Sequence, residues 1–194
     1  MKRQNLIDGL LFVLLLVIGS QVRVWLQDLP NFAPVAALAL FAGYFFRSWI
    51  LAFCLPLGVM LLSDIRIGSY DWRMMALVYT MLAAPVGLGL LMRRYLHVQR
   101  RSFAPSALAF GGLMGCSLGG AIMFFLTTNF GSWLWFGMYE RSMAGLAPCY
   151  VQAIPFFRYT LCGDLLFAVV LFGGYALAVQ MGFATRTKRQ LVIQ

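Results

Sequence analysis

Apolar residues run along this chain in long stretches punctuated by short polar clusters. Set against the helical period and the usual breakers, the runs predict six helices, at roughly 5–26, 33–46, 48–63, 72–93, 104–126 and 157–182. A hydrocarbon core about 30 Å thick takes on the order of 20 helical residues per crossing. The second and third helices fall short of that, since about 14 residues rise only some 21 Å. Either they reach further than their polarity suggests or the bilayer thins around them. Arg47 marks the tight turn between these two, and Pro56 and Pro85 predict kinks in the third and fourth. The longest connection, 127–156, carries Asn129, Trp133, Trp135, Tyr139, Glu140, Arg141, Pro148, Tyr150 and Pro155. That is too long and too aromatic for a bare linker, so an ordered outer connection is expected there. There is no internal repeat. The predicted fold is an all-α integral membrane protein, one transmembrane domain over residues 1–194, built as a six-helix bundle.

Composition sharpens this. Of 194 residues, 62% are hydrophobic and 11% charged, whereas a soluble domain has roughly 45–50% apolar and about 25% charged residues. The formal net charge of +9 belongs to the ends of the spans, where anionic headgroups account for it, and not to nucleic acid. Six spans collect Lys2, Arg3, Arg47, Arg93, Arg94, Arg100, Arg101, Arg186, Lys188 and Arg189 on one side, against Asp8 alone. Arg23, Arg66, Arg73, Arg141 and Arg158 fall on the other with Asp28, Asp64, Asp71, Glu140 and Asp164, and cancel. Basic residues are retained on the cytoplasmic side, so both termini are expected there. Lys2 and Arg3 followed by the run Leu10 to Gly19 resemble a signal peptide. Gln21, Val22 and Arg23 stand where a small-residue cleavage site would be, so the segment reads as a retained first span. Cys54, Cys116, Cys149 and Cys162 lack paired metal or redox spacings, and one histidine, His97, cannot build a bis-histidine haem. No cofactor is expected.

The polar chemistry gathers at the outer ends of the helices. Ionisable groups in or near a span are costly unless paired or facing water, which singles out Asp64 and Asp164. Each reads equally as a helix lock, Asp164 with Arg158 or Arg66 for example. The segment SDIRIGSYDW (63–72) can present Asp64, Tyr70 and Asp71 to a ligand, or can be an interfacial turn with Tyr70 and Trp72 in the aromatic belt. In TNFGSWLWF (128–136), Asn129 and Gly131 are expected to break the fifth helix, and Trp133 offers a stacking surface. Pro155 fits the entry to the last helix, with Arg158 and Asp164 following. Ala33 with Ala37, and Ala39 with Gly43, have the spacing that lets helices approach closely in lipid, either inside the bundle or against a partner; Gly111, Gly115 and Gly119 repeat it on the fifth helix. No nucleophile stands near a general base, and no phosphate loop or dinucleotide fingerprint occurs, so an enzyme is not expected.

The blocks NFAPVAALALFAGYFF (31–46), LPLGVMLLSDIRIGSY (55–70), FFLTTNFGSWL (124–134) and CYVQAIPFFRYTLCGDLLF (149–167) resemble a family of small bacterial six-span proteins of unassigned function. That family is similar, more distantly, to the S subunits of energy-coupling-factor (ECF) vitamin transporters, including the solitary cobalamin-uptake, BtuM-like type. The resemblance implies a multi-pass protein of the bacterial inner membrane, with an outward pocket for a vitamin-like solute and docking to an energising transmembrane subunit with ATPases. Ala33, Ala37, Ala39 and Gly43 match the partner-docking motif of such subunits, though on the second helix and not the first. Residues 65–80 hold no cysteine, so cobalt ligation by that type's cysteine is not supported.

The sequence thus predicts a small-solute binding and uptake protein whose pocket is lined or closed by Asp64, Tyr70, Asp71, Asn129, Trp133, Arg158 and Asp164. The alternative is a non-enzymatic assembly protein whose outer loops dock a partner.

Overall fold

The computed structural model describes residues 2–95 and 103–181. His97, Arg100, Arg101, Arg186, Lys188 and Arg189 lie outside the described residues. Within them the structure is all α: α1 (Lys2–Trp25), α2 (Val35–Phe45), α3 (Trp49–Ile67), α4 (Trp72–Ala83), α5 (Pro85–Tyr95), α6 (Phe103–Phe136) and α7 (Met143–Gln180). Only Ala84 separates α4 from α5. Pro85 has no N–H to continue the ladder and opens α5 as its first residue, so the predicted kink is a break within one rod.

Local chemistry sets the helix ends. Ser48 caps α3 by accepting from the Leu51 amide at 3.4 Å, and Asp71 caps α4 by accepting from the Arg73 and Met74 amides at 3.0 and 3.2 Å. Ser142 caps α7, accepting from the Gly145 amide at 3.3 Å. Gly68 ends α3 at φ 105°, a region closed to most side chains.

Two boundaries depart from expectation. α6 runs ten residues past 126, and α7 begins at Met143 instead of 157, so the outer connection contracts to residues 137–142. Asn129 does not break α6, because its Nδ2 donates back to the Phe125 carbonyl one turn earlier, at 2.7 Å. Gly131 stays helical with Leu77 seated against it, where a Cβ would come within 2.6 Å of the leucine methyl. Pro148 and Pro155 lie inside α7, as prolines can in membrane helices whose freed carbonyls are satisfied by neighbours.

Five helical stretches are long and apolar enough to cross a membrane: Leu6–Trp25, Trp49–Ile67, Trp72–Arg94, Phe110–Phe136 and Met143–Gln180. α2, with 11 residues, rises only about 16 Å. It serves instead as the axis of the bundle. It touches all six other helices, and nine of its residues are buried. Contact with α5 is closest: a Cβ on Gly43 would stand 2.1 Å from the Val86 carbonyl oxygen, and one on Gly89 2.1 Å from that of Leu40. In lipid, such backbone proximity and dense packing replace the hydrophobic drive that assembles soluble bundles. The Arg93 Nη1 donates to the Phe46 carbonyl at 2.5 Å, closing the end of α2. Outward faces carry large apolar side chains, among them Leu10, Leu14, Ile65, Leu108 and Val170.

Candidate functional site

The C-terminal ends of α1 and α3 meet. Arg23 Nη1 lies 2.5 Å from Asp64 Oδ1 and also donates to the Ser63 hydroxyl. The Tyr79 hydroxyl, from α4, donates to the second Asp64 oxygen at 2.8 Å. Asp64 therefore spends both oxygens on two helices, with Arg23 as its ion-pair partner, and neither Arg158 nor Arg66 forms the pair with Asp164 that the sequence suggested. Arg66 instead donates to the Gln21 side chain at 2.7 Å. Arg158 is exposed, its guanidinium over the ring of Tyr159 at 5.0 Å.

Beside this lock lies a hollow of about 330 Å³. Its roof is the α1–α2 link, with Leu26, Gln27, Leu29, Asn31 and Phe32; its walls are Met60 of α3, Met74, Val78 and Met81 of α4, Gly120 and Phe124 of α6, and Thr160 and Asp164 of α7. Arg23 and Tyr70 stand at its edge. A second hollow of about 170 Å³ shares Asn31, Met74, Val78, Phe124 and Thr160 with the first and extends along α6 and α7 to Asn129. The roof is seated on α7. A Cβ on Gly163 would meet the Ala33 amide nitrogen at 3.3 Å, and the Phe32 and Phe167 rings lie 5.7 Å apart. Asn31 turns the link at φ 60°, a left-handed conformation that asparagine tolerates better than most residues.

Asp164 is the unusual group. It is 4% exposed, and no hydrogen bond or ion pair reaches its carboxyl among the described residues. Among the described residues no sealed side-chain oxygen lacks a partner, so the carboxyl opens into the hollow that it lines. Because α7 starts fourteen residues earlier than expected, Asp164 sits near the middle of the helix and not at its outer end. Tyr70, in the α3–α4 link, keeps its proton: burial and the nearby Asp64 carboxylate push its hydroxyl above the ordinary value, against the opposing Arg23 charge.

The structure thus brings Asp164, Tyr70 and Asn129 onto the connected hollows and puts Asp64 next to them in the lock. Asp71 does not join them: its carboxylate is taken by the α4 cap and is exposed. Trp133 does not either, since its Nε1 donates to the Glu140 carbonyl at 2.9 Å across the α6–α7 turn. Arg158 points away. Ala37, Ala39 and Gly43 are buried inside the bundle and Ala33 lines the hollow, so the small-residue stripe of α2 packs internally and presents no docking face. Sequence reading missed Arg23, Tyr79, Asn31 and Thr160. For Arg23 a signal existed, because an arginine closing an apolar run needs an anion, and Asp64 closes the run that packs beside it.

Long apolar rods packed around a small, mostly apolar hollow with one unpaired carboxyl define a multi-helix membrane protein with a hollow among its helices. The chain belongs to a family described as a family of unknown function, DUF6580, whose model matches residues 3–187. No curated protein and no solved structure matches the chain. The likeness to ECF S subunits therefore gains no support from these comparisons.

Proposed function

We propose that this protein binds a small solute within the bundle and assists its passage across the bacterial inner membrane, the hollow opening toward the periplasm. The observation that carries this reading is the 330 Å³ hollow with Asp164 facing it. Concave, largely apolar sites with few polar groups are the usual form of small-molecule pockets, and this volume is near the lower end of their range of about 300–1,000 Å³. A corrinoid is too large for it. The uptake role, the vitamin-like class of solute and an energising subunit with ATPases derive from the resemblance to S subunits, whereas the six-span topology with both termini in the cytoplasm rests on the apolar runs and the bias of basic residues. The chain itself carries no phosphate loop.

The test is native mass spectrometry of the full chain purified in mild detergent, followed by thermal shifts against a vitamin panel. A co-purifying small molecule that is lost when Val78→Phe fills the hollow supports the reading. Protein free of any adduct, and unshifted by every compound, counts against it. An assembly role is the second reading, favoured by Asp64 serving as a helix lock and by Asp71, Trp133 and Arg158 standing outside the hollow.

A further inference from the structure

The polar groups around the hollow are not all matched. Arg23 is the basic side chain on its lining, and its guanidinium is already neutralised by Asp64 at 2.5 Å. Asp64 in turn is satisfied by Arg23 and Tyr79. Once that pair is set aside, the lining retains the Asp164 carboxyl and no basic group to meet it. Ionising an unpaired carboxyl between largely apolar walls is costly, and a cation in the hollow would offset that cost. The rest of the lining suits an organic cation better than a hydrated metal ion. Met60, Met74 and Met81 supply polarizable thioethers, and Phe32, Phe124 and Tyr70 supply ring faces, which attract ammonium groups through the ring quadrupole. A hard cation would instead need several oxygen ligands. Besides Asp164 the lining offers Thr160, Asn31 and Gln27, dispersed over α7 and the roof, and no cluster of three potential metal ligands exists among the described residues.

We propose that the hollow is selective for a small apolar monocation, an organic ammonium whose charged end pairs with Asp164 while its body lies among the methionines and phenylalanines. This rests on the solute-binding reading above and narrows it to a class of ligand. Thr160, one turn before Asp164 and shared by both hollows, offers its hydroxyl on the same face of α7 as a second polar contact.

The experiment uses three probes of similar shape and different charge on the full chain in lipid nanodiscs: phenethylammonium, 2-phenylethanol and 3-phenylpropionate. Calorimetric binding and thermal shift are read for wild type, Asp164→Asn, Val78→Phe and the surface control Glu140→Gln, exposed in the α6–α7 turn. The expected result is binding of phenethylammonium at least tenfold tighter than of either other probe, lost in Asp164→Asn, lost in Val78→Phe and unchanged in Glu140→Gln. Asp164 has no partner to strand, so its asparagine variant is expected to fold, and an unchanged melting transition checks this. Should it fail to fold, Asp164→Glu, which keeps the charge, is expected to retain the preference for the cation. If the alcohol or the propionate binds as well as the ammonium, and Val78→Phe abolishes it, the cation inference fails while solute binding stands. Retention of the ammonium preference by Asp164→Asn also overturns the inference. If none of the three probes binds, the inference fails, and the vitamin-panel and adduct measurements decide the broader reading separately.

Discussion

Two aspartates that look alike in the sequence have opposite situations in the bundle. Asp64 is held by Arg23 and Tyr79, whereas Asp164 faces a hollow with nothing to hold it. Deleting one member of a buried pair leaves the other charge stranded, so Arg23→Ala is expected to lower stability by about 3–5 kcal/mol. The double variant Arg23→Ala with Asp64→Asn should recover much of that loss. Melting curves followed by tryptophan fluorescence check both, and a double variant no more stable than the single one would contradict the pairing. Arg158→Ala, by contrast, should change stability by less than about 0.5 kcal/mol, because the side chain is exposed and contacts its own neighbour Tyr159. The same measurement reads it. At this scale the sequence showed which residue types were costly in a membrane, but not their partners. Arg23 and Asp64 are 41 positions apart, and only the packing of α1 on α3 joins them.

Among the elements, α2 and α5 are bound by their glycines. A methyl group on Gly43 or Gly89 would stand about 2.1 Å from an opposing carbonyl oxygen, which no side-chain rotation relieves. Gly43→Ala and Gly89→Ala should each cost at least about 1–3 kcal/mol through overpacking. Gly115→Ala, which meets nothing within 4 Å, should leave the melting temperature unchanged or slightly raised, since alanine is the better helix former. Equal effects at all three positions would show that the α2–α5 crossing does not control assembly. Small-residue spacing was legible in the sequence on α2 and on α6 alike, yet spacing alone does not say which stripe is covered. The ends of α6 and α7 depart from the sequence expectation for a related reason: Asn129 and Gly131 are breakers in water, and in the bundle the Phe125 carbonyl and the Leu77 side chain accommodate them, while Pro148 and Pro155 are carried within α7.

At the scale of the whole molecule, the roof over the hollow and the α3–α4 link share one end of the bundle, since Arg23 and Asp64 meet there, and Arg93 closes α2 at the other. If charge bias sets orientation, alkaline-phosphatase fusions within 68–71 or 137–142 should be active and a fusion at Arg47 inactive. The reverse pattern would put the hollow on the cytoplasmic side and remove the case for uptake. The sequence by itself determined the class of molecule, because apolar runs near 20 residues with so few charges have no stable place but a bilayer. It also singled out Asp164 as a residue that needs a reason. Only the tertiary structure decided that α2 is an internal axis, that Arg23 neutralises Asp64, and that Asp164 is left to face an open-mouthed hollow. Composition fixes what solvent a chain can tolerate, but the partner of a charge depends on which helices touch, and hydropathy does not encode that.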